Sequence, residues 1–483
     1  MDDIRIGLDF GTHQTKICIQ RVPDEGHGVP EYEFFKFVDL NGIEQYFLPS
    51  VVQINKDDTL SFGYVDSKAE KPGLPLPKME EIKRPNANDI TDKAKTLYAK
   101  YTGADSINQE EMNALLHMLN KKAELDNASF DERFAAAQAK FNEEMTEYNR
   151  KRNLFRYFKQ ASLAEYPWES DFDSNLLCVW YLAYVVFLLE ERFPDGFALN
   201  MGVPTDDKTF NQKRELGTRL LASAIHLVED VYYNDLWKFI NEKIGDLKKK
   251  TELIDFSADI KDEYRINIFP EAYVSLIGLT SRGKLSEGMS LNADIGGGTT
   301  DISFFIVNKG VPKIYRYWSI PRGLNYIAEH SGFNYAEGGF ALKAHNDVVK
   351  KYNKKKEELA YGLVMDLIDQ LRTYTNIPKS NLHDALRNRI VVYNGGGSTY
   401  PALTTEIYHF SDVKIANSDL WTEEVIREKS KVIKLANLLT TAFGLSVADS
   451  DEEVILCDFN TLFAGSGNKS GYGEKQEIDK DVC

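Results

Sequence analysis

Three short glycine-containing turns carry residue types that hold phosphates. The first, Asp9-Phe10-Gly11-Thr12-His13-Gln14-Thr15-Lys16, lies between two strand-like stretches, Ile4–Phe10 and Thr15–Arg21. A glycine lets the backbone come close to a ligand, and successive N–H groups with a threonine hydroxyl can cradle phosphate oxygens. Asp9, at the end of its strand, can hold a hydrated Mg²⁺, which takes one or two carboxylates together with substrate phosphates. The same residues also satisfy a plain β-hairpin with an Asp-Gly turn.

The second turn, Asp294-Ile295-Gly296-Gly297-Gly298-Thr299-Thr300-Asp301, follows Leu291-Asn292-Ala293 and precedes the strand-like Ile302–Val307. It repeats the first design of strand, Asp, glycine turn, Thr and strand. Three consecutive glycines cost backbone entropy that a purely structural hairpin has no use for, so this run points to phosphate binding. The third turn, Asn394-Gly395-Gly396-Gly397-Ser398, follows the apolar strand Ile390–Tyr393, and a helix is expected after Pro401. A glycine run between strand and helix suits close approach to a nucleotide.

The elements that must position these turns are mixed. Ile4–Phe10 and Thr15–Arg21 form a hairpin, and Glu33–Phe37 and Ser50–Ile54 read as further strands. From about residue 90 the pattern becomes helical. Met112, Leu115, Leu116 and Leu119 share one helix face, and Ser129 with Glu132 resembles a capping box before a stripe of Phe134, Ala137, Phe141, Met145, Tyr148 and Phe155. These helices read either as a projecting antiparallel pair or as helices lying on a core. Further helical blocks are expected over Asp207–Lys250 and Tyr335–Thr375, whose lysine clusters, Lys248–Lys250 and Lys354–Lys356, read as exposed surface. Gly465–Cys483 has little to bury and reads as a mobile tail.

Composition narrows the classes. At 483 residues the chain exceeds one ordinary core. Lysine and arginine number 58 against 74 acids, a formal charge of −16 that argues against a nucleic-acid partner. Four scattered cysteines (Cys18, Cys178, Cys457, Cys483) form no CxxC pair, which argues against a disulfide framework or a structural zinc. No signal peptide is read at the N-terminus, and the longest apolar run, Leu176–Leu189, is too short for a membrane span and reads as a buried helix. A cytoplasmic protein is expected.

In the order and content of its three turns the chain resembles the actin and heat-shock ATPase superfamily, and within it most closely the nucleotide-binding domain of the seventy-kilodalton heat-shock chaperones. Asp9–Thr12 matches the first phosphate loop, Asp294–Asp301 the second and Gly395–Pro401 the adenosine loop. Leu48-Pro49-Ser50-Val51-Val52 is similar to the family's Pro-Ser-Val segment, and Gly202-Val203-Pro204 and Ala436–Gly444 to its two connecting segments. The resemblance implies an α/β fold of two ribonuclease-H-like lobes around a nucleotide cleft. Lobe I would comprise about 1–285, with a helical insertion at about 100–170, completed by 434–483; lobe II would comprise 286–433.

It further implies ATP or ADP with Mg²⁺ as ligands. Gly11, Thr12 and His13 of the first turn, and Gly296, Gly297, Gly298, Thr299 and Thr300 of the second, would hold phosphates, with Thr12 and Thr299 in contact. Gly395, Gly396, Gly397, Ser398 and Tyr400 would flank the nucleoside, with Tyr400 where the chaperones carry an adenine-stacking arginine. Asp9, Asp294 and Asp301 would arrange the metal. Lys83, followed by Arg84, corresponds to the chaperones' water-positioning lysine, whereas Lys16 corresponds to a phosphate-contacting lysine of actin and plasmid-partition filaments. Glu271, in Ile268-Phe269-Pro270-Glu271-Ala272, would orient the attacking water, although it sits two places later than in the chaperone pattern. As a residue it equally suits the dipole of a helix N-terminus.

The expected function is slow ATP hydrolysis that drives a chaperone-like conformational switch, with a protein partner or client. The 118 residues from 84 to 201 exceed what the family core needs, and the 38 from 446 to 483 are too few for a peptide-holding domain. An actin-like filament protein is the alternative, and homo-oligomers are open to both. A sugar or metabolite kinase of the same superfamily fits the Thr-Thr-Asp form of the second turn less well.

Overall fold

The computed structural model describes residues 3–23, 29–66, 80, 89–102, 108–151, 153–163, 173–204, 210–254, 263–280, 285, 287–309, 311–320, 323–324, 327, 346–356, 358, 365, 391–404 and 425–449. It is a mixed α/β structure. The chain divides into two compact units, one of Met1–Lys68, Leu154–Glu165 and Ser174–Cys483, the other of Ala69–Asn153 and Tyr166–Asp173.

The first unit contains two larger sheets. In the first sheet, β1 (Asp3–Phe10) pairs antiparallel with β2 (Gln14–Val22), and β2 pairs antiparallel with β3 (Glu31–Phe34). On its other side β1 pairs parallel with β4 (Ala198–Val203), which pairs parallel with β5 (Ile266–Pro270). Leu199, Met201 and Val203 of β4, like Ile6, Leu8 and Phe10 of β1, are buried, as expected of inner strands in a sheet that carries parallel pairing. Leu48–Pro49 and Val425–Ile426 extend this sheet.

The second sheet is built from β6 (Gly288–Ile295), β7 (Thr300–Asn308), β8 (Val311–Ile320) and β9 (Val391–Asn394), in the order β8-β7-β6-β9. The three consecutive strands form an antiparallel meander and β9 joins parallel to β6. This repeats the connectivity of β3-β2-β1-β4. In both sheets a glycine turn therefore joins the first hairpin at the end of the strand that has a parallel neighbour.

Five helices of the first unit matter to the site: α1 (Phe158–Leu163), α2 (Ser174–Arg192), α3 (Phe210–His226), α4 (Glu271–Thr280) and α5 (Ala436–Val447). Helix α5 packs on β1, β2 and α4. The approach is close: a Cβ on Gly7 of β1 would stand 2.2 Å from Ala442 O, and one on Gly444 would stand 1.8 Å from Val274 O. Helix α2 is long and apolar enough to cross a membrane by composition, but about two thirds of it is buried within the protein. There Trp180 Nε1 donates to Thr251 Oγ1 at 2.9 Å, and the helix is the buried element expected from its apolar run.

The second unit contains the helices Asp89–Thr102 and Gln109–Lys151. Met112 packs with Ala94 and Tyr98, flanked by Leu115, Leu116 and Leu119, so the expected apolar face is used by a neighbouring helix. The Tyr98 hydroxyl accepts the Asn108 N–H at 2.9 Å and donates to Glu111 at 2.9 Å.

Three expectations are corrected. Phe155 is not on the helical stripe: it lies in a strand, Leu154–Arg156, paired with Val52 of Val51–Ile54, because the helix stops at Lys151. Lys356 is not surface: it is fully buried, its ammonium donating to Leu403 O and lying 5.7 and 5.8 Å from the Tyr352 and Tyr393 rings. Ser129 does not open a helix: it lies inside the continuous helix Gln109–Lys151. The third glycine segment makes a helical turn at Gly396–Thr399 and turns at 401–404, and the helix expected after Pro401 falls on residues from 405 on, outside the described residues. Lys83, Arg84 and Gly465–Cys483 lie outside the described residues.

Candidate functional site

A cavity of about 270 Å³ in the first unit is lined by all three glycine turns. From the first turn it receives Asp9, Gly11, Thr12, His13 and Lys16; from the second, Asp294, Gly296, Gly297, Gly298, Thr299 and Asp301; from the third, Gly395 and Gly396. Glu271, Lys159, Gln160 and Lys213 also line it. Turns far apart in sequence thus meet because each ends a strand at the same end of its sheet.

The first turn is fixed from below. The Ser50 N–H donates to His13 O at 2.8 Å, and its hydroxyl to Gly11 O at 2.7 Å. The buried Tyr181 hydroxyl donates to Leu48 O at 3.2 Å and lies 3.0 Å from Thr15 Oγ1, whose hydroxyl can donate to it. The Ser50 contacts take up the Gly11 and His13 carbonyls, while the Gly11 N–H donates to Asp9 O at 3.1 Å within the turn. In the second turn Gly296 N donates to Thr299 O at 2.9 Å, and Leu324 N to Gly296 O at 3.0 Å. Thr299 Oγ1 lies 3.3 Å from Asp301 Oδ2, whereas Thr300 is fully buried, 2.6 Å from the Tyr352 hydroxyl, and does not line the cavity.

The two hairpins put charged residues at equivalent register positions. Asp9 stands across from Lys16, and Asp294 across from Asp301. The first pair is an ion pair, Lys16 Nζ to Asp9 Oδ2 at 2.9 Å. The second is acid against acid, an arrangement that is unfavourable on adjacent strands unless a cation intervenes. Burial, then Asp301, Glu271 and Asp9, push the Asp294 carboxyl up to about 8, opposed by Lys16.

Among the described residues no three His, Cys, Asp or Glu side chains form a ready metal cage. Mg²⁺ needs none: it keeps several waters and takes one or two carboxylates with substrate phosphates. The carboxylates of Asp9, Asp294 and Asp301 are donors of the kind a hydrated dication takes, and such an ion would offset the neighbouring acids that, after burial, raise the Asp294 carboxyl.

Glu271 begins α4, directly after β5, and forms an ion pair with Lys159. The Lys159 side chain is 4% exposed and its ammonium lies 5.5 Å from the Phe10 ring centroid. A buried ammonium and a carboxylate that still reaches the cavity make a unit able to orient a small polar nucleophile. Lys159 gives no sign of this in the sequence, being one lysine in Phe158-Lys159-Gln160, inside the stretch that reads as the insertion. Nothing local marks it, and only the turn of chain after Leu154–Arg156 brings it in. Gln160, Lys213 and Ser50 carry no sequence signal either, apart from Ser50's place in the Pro-Ser-Val segment.

The third turn is shaped by Gly395, with φ +76; a Cβ there would lie 2.3 Å from Asp294 Oδ1. Asn394 Nδ2 donates to Asn292 Oδ1 at 2.9 Å, which ties β9 to β6 just behind the turn. Ser398 closes the turn on itself, Oγ to Gly395 O at 2.7 Å, and Tyr400 N–H donates to Gly397 O at 3.1 Å. Gly397, Ser398 and Tyr400 do not line the cavity. Compared with known proteins, the chain matches no protein-family model and no curated relative.

Proposed function

We propose that this protein is a Mg²⁺-dependent, ATP-binding ATPase that converts ATP to ADP and phosphate and works as a chaperone-like conformational switch. The observation that carries the reading is the repeated hairpin, which brings Asp9 with Gly11–His13 and Asp294 with Gly296–Thr299 to one cavity, with the third turn beside them. The connectivity shared by the two sheets supports a duplicated, actin-like architecture, with lobes of about 1–285 plus 434–483 and of 286–433.

In this reading the N–H groups of the first two turns, with Thr12 and Thr299, hold the β- and γ-phosphates, and Lys16 adds positive charge. Asp9, Asp294 and Asp301 would hold Mg²⁺, which when bound would supply charge neutralisation for the phosphates. Glu271 accepts a hydrogen bond from the attacking water and aligns it, and Lys159 fixes the Glu271 carboxylate. Gly395 and Gly396 let the nucleoside approach the third turn. No covalent intermediate is involved. Closure of the lobes on ATP is the output that a protein partner or client reads, in the cytoplasm.

Titration of the purified protein with Mg·ATP by calorimetry tests this, with one site per chain expected. Absence of binding, with Mg·ADP equally silent, removes the reading. The filament alternative is favoured by one specific observation, the presence of Lys16 in the cavity. ATP-dependent light scattering with a critical concentration supports filaments, and a monomer at all concentrations removes them.

A further inference from the structure

We infer that Tyr157 is a positioning residue that sets Lys159 according to the packing of the two phosphate turns; the inference rests on the ATPase reading proposed above. Tyr157 is a bulky residue at φ 63, a conformation that side chains other than glycine rarely adopt and that persists only where neighbours over-determine it.

Its neighbours do so on every side. Before it, Arg156 pairs with Val51, the residue after the Ser50 that holds the first turn. After it, Tyr157 O accepts the Ala161 N–H at 3.0 Å and so starts the turn that carries Lys159 and Gln160. Its ring meets the His13 imidazole edge-on, with centroids 5.2 Å apart and planes at 80°.

His13 in turn lies against the second phosphate turn. A Cβ on Gly297 would fall 1.8 Å from His13 Cδ2, and one on Gly298 would fall 2.8 Å from Gln160 Oε1. The segment 157–160 therefore touches the second turn twice, through His13 and through Gln160, while it presents Lys159 to Glu271. A shift of Gly297–Gly298 as the turns close on a phosphate has to displace His13 or Gln160, and the left-handed Tyr157 is the joint through which that displacement reaches Lys159.

The test uses the full chain with Tyr157→Phe, Tyr157→Asn, Lys159→Met and the Tyr157→Asn/Lys159→Met double variant. Asparagine removes the ring and accepts the left-handed backbone, so the fold is kept. Mg·ATP affinity and stoichiometry are measured by calorimetry, and hydrolysis by single turnover. Tyr157→Phe, which keeps the ring against His13, is expected to hydrolyse ATP faster than Tyr157→Asn. Tyr157→Asn is expected to bind one Mg·ATP per chain within about threefold of wild-type affinity while hydrolysis slows about tenfold or more. In the double variant the loss is expected to equal that of Lys159→Met alone, because both act through one group.

Wild-type hydrolysis by Tyr157→Asn overturns the inference and leaves the ATPase reading standing. So does a loss of stoichiometry in step with rate, or losses that multiply in the double variant. A wild type that binds or hydrolyses no nucleotide overturns the ATPase reading itself, and this inference with it.

Discussion

Asp294 is the residue at which burial and charge compete most openly. Its carboxyl ionises at about 8 in the folded protein against 3.8 for an ordinary aspartate, chiefly because it is buried and secondly because Asp301 faces it. A folded value above the unfolded one means the ligand-free protein carries no penalty from Asp294 below about pH 4 and loses stability as pH climbs from there to 8. Asp294→Asn should therefore stabilise the nucleotide-free protein at pH 8 by on the order of a few kcal/mol, and hardly at all at pH 4. Thermal scans of both proteins across this range check it; equal pH profiles contradict it. The Lys159–Glu271 pair gives an asymmetric expectation. Glu271→Gln leaves a nearly buried ammonium without its anion and should cost about 1–3 kcal/mol, whereas Lys159→Met leaves a carboxylate with access to water and should cost less. Denaturant melts of the two variants decide the order.

At the scale of elements, each hairpin exists to end a strand in a turn that reaches the cavity. Gly395→Ala puts a side chain on a left-handed backbone and into the Asp294 carboxylate. It should destabilise the protein by at least about 1–2 kcal/mol and weaken Mg·ATP binding more than tenfold, read by calorimetry. The turns were legible in the sequence because their conformation is local: aspartate, glycines and threonine in consecutive positions mark a strand end and a tight turn. The hairpins, the buried helix α2 and the Met112 face were legible from apolar spacing. Lys159 was not, since a lysine acquires meaning only from the ring, carboxylate and turn that tertiary structure brings to it. Lys356 misled for the same reason: helical spacing puts it one turn from Tyr352, but its burial against Tyr393 and Leu403 O comes from tertiary structure alone. Phe155 misled because an apolar residue at helical spacing fits a strand equally well over three residues.

At the scale of the whole molecule, the cavity lies within the first unit, and the helical unit is held by its own small core of Ala94, Tyr98 and Met112. Met112→Asp buries a charge in that core and should unfold the helical pair by several kcal/mol, lowering helical circular dichroism, while Mg·ATP affinity stays within about threefold. Loss of both together would show that the two units fold as one. Everything proposed for the site depends on one cavity binding and slowly hydrolysing ATP. That is tested most directly by phosphate release from the wild type beside Asp9→Asn, Lys159→Met and Glu271→Gln, with Mg·ATP binding followed on the same samples. Measurable turnover is expected of the wild type, with binding retained in Lys159→Met and Glu271→Gln, turnover there lowered about a hundredfold, and the Mg²⁺ dependence lost in Asp9→Asn. A wild type that binds no nucleotide, or a Glu271→Gln variant that hydrolyses at the wild-type rate, contradicts the assignment.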